Sequence, residues 1–113
     1  MKLGRPPAIH AVYWPTLGLK AGDEVTFKVR TFGDALAGSG ERWNFGDNSP
    51  RVDVQSVAKE VLAGTGKSTA LAKDGYAITT HRYAKPGDYL VSVSRTNSRG
   101  QTATAGLCVH IEP

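Results

Sequence analysis

Three histidines and one cysteine are the residues of this chain whose types could support nucleophilic or acid–base catalysis. Such catalysis requires a nucleophile within reach of a base that a third group orients. His10 lies near the N-terminal edge, and Cys108 would share one strand face with His110. Residues i and i+2 of a strand stand about 7 Å apart, which is too far for direct proton transfer. The sequence therefore predicts no catalytic residues, and we expect that the chain is not an enzyme.

Residues 64–69, Gly-Thr-Gly-Lys-Ser-Thr, end like a phosphate-binding loop, in which backbone amides and a lysine hold a nucleotide. The complete motif also has a glycine five residues before Gly66, where this chain has Val61. It further requires a strand that leads directly into the loop and a helix that follows it. We therefore interpret the stretch as a surface loop and expect no cofactor.

Tyr13 and Trp14 form the one candidate ligand-binding surface. Residues 9–14 alternate as an extended strand, so the two aromatic side chains point to opposite faces, and one of them points away from the core if this is an edge strand. An exposed aromatic ring can stack on a sugar ring. The alternative is that one ring belongs to the core while the other covers an edge or packs on a neighbouring domain. No second aromatic platform is visible in the sequence, which favours this alternative.

The charge and cysteine content limit the classes of partner. Fourteen lysines and arginines against ten acidic residues give a net charge of +4, but the basic residues are scattered along the chain. Nucleic-acid binding needs clustered cations, so we expect no nucleic-acid partner. No run approaches the roughly 20 apolar residues that span a bilayer, so we expect no membrane insertion. We also expect the domain to be a monomer. The single Cys108 excludes an intrachain disulfide.

The elements that position these residues are predicted to be strands. At 113 residues the chain is of single-domain size. Val25, Phe27 and Val29 alternate with polar residues and predict a strand with one buried face. Further alternating stretches lie at residues 41–45, 89–95 and 102–111. This pattern predicts an all-β domain of two packed antiparallel sheets with about seven strands.

The stretch 51–80 is harder to interpret. Apolar residues recur at helical spacing over 54–62, with Ser56 as a candidate N-cap, which predicts a short helix. An extended interpretation from Val52 onward competes with the start of that helix. An Asp-Gly pair at 74–75 between two strand-like stretches predicts a hairpin.

Three ordered motifs resemble those of the polycystic kidney disease (PKD) domain. They are Trp-Asn-Phe-Gly-Asp at 43–47, His-Arg-Tyr-Ala-Lys-Pro-Gly-Asp-Tyr at 81–89 and Thr-Asn-Ser-Arg-Gly at 96–100. The resemblance implies an immunoglobulin-like β-sandwich over residues 9–113, preceded by a linker at 1–8. The motif residues to which it assigns a structural role are Trp43, Phe45, Gly46, Asp47, His81, Tyr83, Pro86, Gly87, Tyr89, Asn97 and Gly100.

The same resemblance carries expectations about function. It implies a non-catalytic accessory module of a larger exported or cell-surface protein, which acts as a spacer and protein-interaction domain beside the neighbouring domains of its parent. The alternative is a carbohydrate-adhesion module that assists a polysaccharide-degrading enzyme. Residues 1–7 have no apolar stretch like that of a signal peptide, so an export signal would lie elsewhere on a longer chain.

Two motif positions are chemically ambiguous. Asp47 is expected to cap backbone amides through an Asx-turn. A calcium site formed with Asn48 and Asp53, as some modules of this family in secreted proteases have, is the weaker alternative because the dense spacing of a calcium loop is missing. Arg95 takes the inward parity where the family usually has an apolar residue. We therefore predict that Arg95 pairs with Asp47 or Glu41 at one end of the sandwich, and we expect no metal.

Overall fold

The computed structural model describes residues 6–56 and 75–113, which form two antiparallel sheets packed face to face. The first sheet has the order β1-β2-β5 and the second the order β4-β3-β6-β7. The predicted immunoglobulin-like sandwich is confirmed for this part of the chain. The strands are β1 Ala8–Trp14, β2 Glu24–Phe32, β3 Glu41–Asn44, β4 Val52–Val54, β5 Ala77–Arg82, β6 Gly87–Thr96 and β7 Thr102–Ile111.

Strand β2 shows how the sequence period produces the core. Val25, Phe27 and Val29 are fully buried, as predicted, while the alternate residues face outward. The strand is longer than its clearest sequence pattern, because Thr31 continues the buried parity and Phe32 the outward parity. The alternation arises because one face of this sheet packs on the core and the other faces outward. Strand β2 lies in the middle of the sheet, between β1 and β5.

An aromatic cluster fills the space between the sheets. The ring centroid of Phe27 lies 5.1 Å from that of Trp43 and 5.1 Å from that of Phe45. Trp43 and Phe45 are 5.9 Å apart and nearly parallel. Such pairs contribute about 0.5–1.5 kcal/mol each beyond the burial of apolar area. Trp43 therefore lies in the middle of the core, as predicted.

The chain enters the sandwich along β1, an edge strand that begins at Ala8, one residue before the predicted domain boundary. Pro6 and Pro7 pack against Gly33, where a methyl group would lie 2.9 Å from the Pro7 Cα atom. The described end of the predicted linker therefore rests on the domain. Strand β1 ends at Trp14, and the following bond to Pro15 is cis.

The chain leaves at the opposite end of the sandwich. Lys20 forms a parallel bridge with Glu112, and the Glu112 amide donates a 2.7 Å hydrogen bond to the Leu19 carbonyl. These contacts lie beside the start of β2, whereas Ala8 pairs with Phe32 at its end. Entry and exit are thus separated by the length of β2, about 30 Å at roughly 3.3 Å per residue.

Of the stretch 51–80, residues 51–56 and 75–80 are among those described. Its start is extended, as the competing interpretation had it, because β4 spans Val52–Val54 and pairs with β3. The rest of the predicted helix, the stretch 64–69 and the partner strand of the predicted hairpin lie outside the described residues. Strand β5 at the far end pairs with β2. Within 6–56 and 75–113, no helix has the length and hydrophobicity that a bilayer crossing needs.

Candidate functional site

The structure separates the two candidate ligand-binding residues. Tyr13 packs against the core, and its hydroxyl donates a 2.9 Å hydrogen bond to the Cys108 carbonyl. Trp14 lies on the outer face of the first sheet and is 44% exposed. Of the predicted pair, Trp14 alone therefore presents its ring on the outer face of this sheet.

Further rings and cations lie beside Trp14 on the same face. The Lys28 ammonium lies 5.9 Å from the Trp14 ring centroid and 4.9 Å from that of Tyr76. The Arg30 guanidinium lies 4.9 Å from the Phe32 ring centroid, and Phe32 is 45% exposed. We call Trp14, Lys28, Tyr76, Arg30 and Phe32 the aromatic–cation face. Its contacts fall in the range of cation–π attraction.

Histidine 10 anchors the middle of this face. Its Nδ1 atom is 2.6 Å from the Tyr76 hydroxyl, and the two rings meet edge to face at 5.7 Å. This bond crosses β2, because His10 pairs with Arg30 from β1 while Tyr76 precedes β5. The Tyr76 ring is consequently held in place across the sheet.

The sequence analysis missed this second aromatic platform. Phe32 continues the outward parity of Lys28 and Arg30, so extending the β2 alternation by two residues would have placed it. Tyr76 could be placed only with the register of β5, which sets Ala77 opposite Val29. That register depends on pairing between distant segments of the chain.

The motif residue Asp47 accepts hydrogen bonds within its own loop. Asp47 accepts hydrogen bonds from the Ser49 amide at 3.1 Å and the Ser49 hydroxyl at 2.5 Å, which is the Asx-type cap. Its other oxygen lies 2.7 Å from His81 Nε2. Burial raises the pKa of the Asp47 carboxyl, but the bonds from Ser49 and His81 lower it by more, so the net pKa lies below its ordinary value. The carboxylate is thereby stabilised in its charged form.

The calcium alternative gains no support from the described residues. Asp53, its second carboxylate, forms an exposed pair with Arg42, with Nε and Oδ1 2.8 Å apart. The Arg42 bond holds the pKa of Asp53 below its ordinary value. In the part of the chain that the structure describes, no three histidine, cysteine or acidic side chains are grouped to hold a metal ion.

The remaining motif residues fasten turns to strands. The Tyr89 hydroxyl donates a 2.6 Å bond to the Lys85 carbonyl across the Pro86-Gly87 turn, which is the geometry of a tyrosine corner. Asn97 accepts hydrogen bonds from the amides of Arg99 and Gln101. That carboxamide oxygen closes the turn between β6 and β7, in which Gly100 has a φ of 81°.

Arg95 and Glu41 form a buried ion pair at one end of the sandwich. Of the two predicted partners, the structure places Glu41 beside Arg95, with Nη1 and Oε2 3.2 Å apart and side chains 1% and 0% exposed. The guanidinium also donates to the Leu36 carbonyl and to the hydroxyl and carbonyl of Ser39. Glu41 further accepts from the Thr31 hydroxyl and from the amide and hydroxyl of Ser56. The fifth guanidinium N–H donates to the Ser56 hydroxyl at 3.4 Å, so every N–H is used, as a buried charge requires.

Tyr83 gives the domain a predicted alkaline limit. Its hydroxyl is buried and donates a 2.9 Å bond to the Phe45 carbonyl. Burial, with added repulsion from Asp47 and Tyr89, raises the pKa of Tyr83 well above its ordinary value of 10.0. The unfolded chain loses this proton near pH 10 while the folded chain keeps it, so the unfolded state binds fewer protons. Above pH 10 we expect the free energy of unfolding to fall by up to about 1.4 kcal/mol per pH unit.

Urea denaturation between pH 8 and 11 measures this slope. Tyr83→Phe removes the titrating group, so its stability should decline with a slope smaller by up to one proton. At pH 8 that variant should be about 1 kcal/mol less stable, because the Phe45 carbonyl loses its donor. Equal slopes for the two proteins would contradict the prediction.

His110 and Cys108 lie on the outer face of β7, opposite Asp88 and Leu90 of β6. The His110 ring bonds Asp88, with Nδ1 and Oδ1 2.5 Å apart on an exposed surface. Cys108 is an exposed free thiol. The two residues lie on one face of β7, as the sequence predicted, two positions apart.

The comparisons with known proteins concern family and fold. A family model described as the PKD domain matches residues 10–109. A solved structure, the PKD domain of an M14-like peptidase from Thermoplasmatales archaeon SCGC AB-540-F20, is similar with a TM-score of 0.65 and 17% identity. The match covers 98% of this chain and 100% of that chain, and at this identity it shows the fold alone. No curated protein matches the chain.

Proposed function

The chain belongs to the PKD domain family, whose members are typically non-catalytic modules of larger proteins, and from that premise we propose that it is a spacer and protein-contact module of an exported or cell-surface protein. Its neighbours would be the other domains of the parent chain. The observation that supports the spacer role is the path of the backbone. Ala8 and Glu112 lie at opposite ends of the sandwich, so domains joined there are held apart.

The chain is held against the sandwich where it enters and where it leaves. Pro6 and Pro7 rest on Gly33 at the entry, and the Glu112 amide bonds the Leu19 carbonyl at the exit. Both connections therefore leave from positions fixed to the sandwich. A flexible tether at either end would not keep the neighbouring domains at a fixed distance from each other.

Spin labels at the two ends test the spacer role. In a Cys108→Ser background, labels on Ala8→Cys and Pro113→Cys should give a narrow distance distribution centred at about 30 Å or more. A control pair on Ala8→Cys and Arg99→Cys, both at the entry end, should give a shorter distance. A broad distribution for the first pair, or one as short as that of the control, would contradict the proposal.

Carbohydrate adhesion is the second candidate function, and the exposed ring of Trp14 favours it. An aromatic side chain that is nearly half exposed can offer one ring face to a sugar. The sequence offered no second ring to continue such a surface. The structure supplies Phe32 on the same sheet face, with an exposure close to that of Trp14.

A further inference from the structure

Strand β7 is an edge of the second sheet. It pairs with β6 along its whole length, and within 6–56 and 75–113 no other strand of this sheet lies beyond it. Hydrogen-bonded and non-hydrogen-bonded pairs alternate in an antiparallel ladder. The Asn97 amide donates to the Gln101 carbonyl, so the next pair, Thr96 with Thr102, is of the non-hydrogen-bonded kind. The even-numbered residues of β7 therefore direct their N–H and C=O groups away from β6.

Contacts with the chain after β1 occupy the part of this edge near the exit. The Cys108 carbonyl accepts a hydrogen bond from the Tyr13 hydroxyl, and the Glu112 amide donates one to the Leu19 carbonyl. Both groups belong to even-numbered residues, which agrees with the direction derived from the ladder. A strand added to β7 could not bond the Cys108 carbonyl without displacing Tyr13.

The part of the edge near the entry is open. Thr102, Thr104 and Gly106 are exposed, and within the described residues their outward amides and carbonyls have no hydrogen-bond partner. Gly106 has no side chain, so its exposure is that of the main chain itself. We call these three residues the free β7 edge.

Charge distinguishes this side of the sandwich from the opposite side. Strands β1 and β7 lie beside each other here, and neither contains Lys, Arg, Asp, Glu or Pro. The edge strands of the opposite side, β4 and β5, contain Asp53 and Arg82. Charged residues and proline are the usual means by which an edge strand avoids pairing with another chain. The free β7 edge is therefore without such protection.

Apolar side chains line the space between β1 and β7. Ile9 and Ala11 of β1, and Ala105 and Leu107 of β7, pack on the core but are only partly buried. A strand added beside β7 would cover part of them. Burial of apolar area contributes about 25 cal/mol per Å² to association, in addition to the main-chain hydrogen bonds.

The free β7 edge is complementary to itself. Its three residues are symmetric about Thr104, and identical chains associate most often about a two-fold axis. An antiparallel arrangement about that axis sets Thr104 opposite Thr104 of the second copy, and Thr102 opposite Gly106. Each such pair can exchange two main-chain hydrogen bonds. The arrangement opposes no like charges, and facing threonines are a favourable cross-strand pair.

We propose that the free β7 edge pairs with the same edge of a second copy of this chain, which joins the second sheets of the two copies into one continuous sheet. At high protein concentration the domain is then a dimer rather than the expected monomer. This contact goes beyond the spacer role, which does not depend on it.

Sedimentation equilibrium between ~10 µM and ~1 mM protein measures the association, with a reductant present so that Cys108 cannot join two copies. We expect a weak dimer, with a Kd on the order of 0.1 mM, because the paired segment is short. Thr104→Pro removes the central donor, and Thr104→Lys sets two like charges opposite each other. Each should raise the Kd about tenfold or more.

Thr80→Lys is the matched control, because Thr80 is an exposed threonine of the edge strand β5 on the opposite side of the sandwich. It should leave the Kd unchanged. The outward Thr104 amide makes no bond to β6, so both Thr104 variants should remain folded, which circular dichroism checks.

A nitroxide label on Cys108 tests the register. Cys108 lies four positions from Thr104, so antiparallel copies centred on Thr104 place the two labels about 25–30 Å apart. We expect that distance at high concentration and its loss in Thr104→Pro. A monomer at every concentration would overturn the proposal. So would a dimer that both Thr104 variants keep, or labels less than about 20 Å apart. The spacer role is measured within one chain and would stand in either case.

Discussion

Replacing Arg95 with methionine is expected to lower the free energy of unfolding by about 3–5 kcal/mol. The change removes the cation from a fully buried pair and leaves the Glu41 carboxylate without it. It also leaves the carbonyls of Leu36 and Ser39 without the guanidinium donor. Because native domains are stable by only about 5–15 kcal/mol, this loss would be a large fraction of the free energy of unfolding. Urea denaturation followed by tryptophan fluorescence measures it.

Two further variants identify the cause of that loss. Arg95→Met combined with Glu41→Gln removes the uncompensated charge but keeps an acceptor for the Ser56 amide, so it should be more stable than Arg95→Met alone. Arg42→Met breaks an ion pair of the same chemistry on the surface and should change stability little. If Arg95→Met cost no more than Arg42→Met, the buried pair would not have the role assigned to it.

Replacing Gly46 with alanine is expected to cost about 2–5 kcal/mol. Gly46 has a φ of 81°, a conformation that strains any residue with a Cβ atom. A Cβ atom there would also lie 2.3 Å from the Leu90 carbonyl oxygen of β6. Backbone atoms cannot rotate away as a side chain can, so β6 would have to shift from the turn that follows β3.

Gly100 provides the matched control for this variant. It has the same φ of 81°, yet a Cβ atom at Gly100 would meet nothing within 4 Å. Gly100→Ala should therefore cost only the backbone strain, about 1–2 kcal/mol. The difference between the two variants, measured by thermal and urea denaturation, gives the cost of the clash alone. Equal losses would show that the close approach to Leu90 contributes nothing.

Local pattern was sufficient to predict much of the sandwich. The alternation of Val25, Phe27 and Val29 specified which face of β2 is buried, because strand side chains alternate whatever their neighbours are. Trp43 was placed in the core by the same argument together with its motif. At the start of the stretch 51–80, an extended interpretation from Val52 competed with a helix over 54–62, and periodicity alone cannot decide between them.

The candidate sites depended on register, which the sequence does not display. Inward parity predicted that Arg95 would need a carboxylate, but it could not choose between Glu41 and Asp47. The pairing of Trp43 with Val93 decides the matter, because it sets Glu41 level with Arg95 and sends Asp47 to the other end of β3, beside His81. The same holds for Tyr76, whose place on the aromatic–cation face depends on the register between β5 and β2.

The Arg95–Glu41 cluster also bears on the order of events in folding. Its hydrogen bonds join residues that are far apart in the sequence. Glu41 bonds Ser56, 15 positions away, and Arg95, 54 positions away. Arg95 also bonds the Leu36 carbonyl, 59 positions away. Such distant segments come together late in folding, because closing a long loop loses chain entropy before the new contacts can offset that loss. We therefore infer that the cluster assembles after the transition state. Its loss would then mainly accelerate unfolding and leave the refolding rate nearly unchanged, so this end of the sandwich governs how long a folded molecule survives.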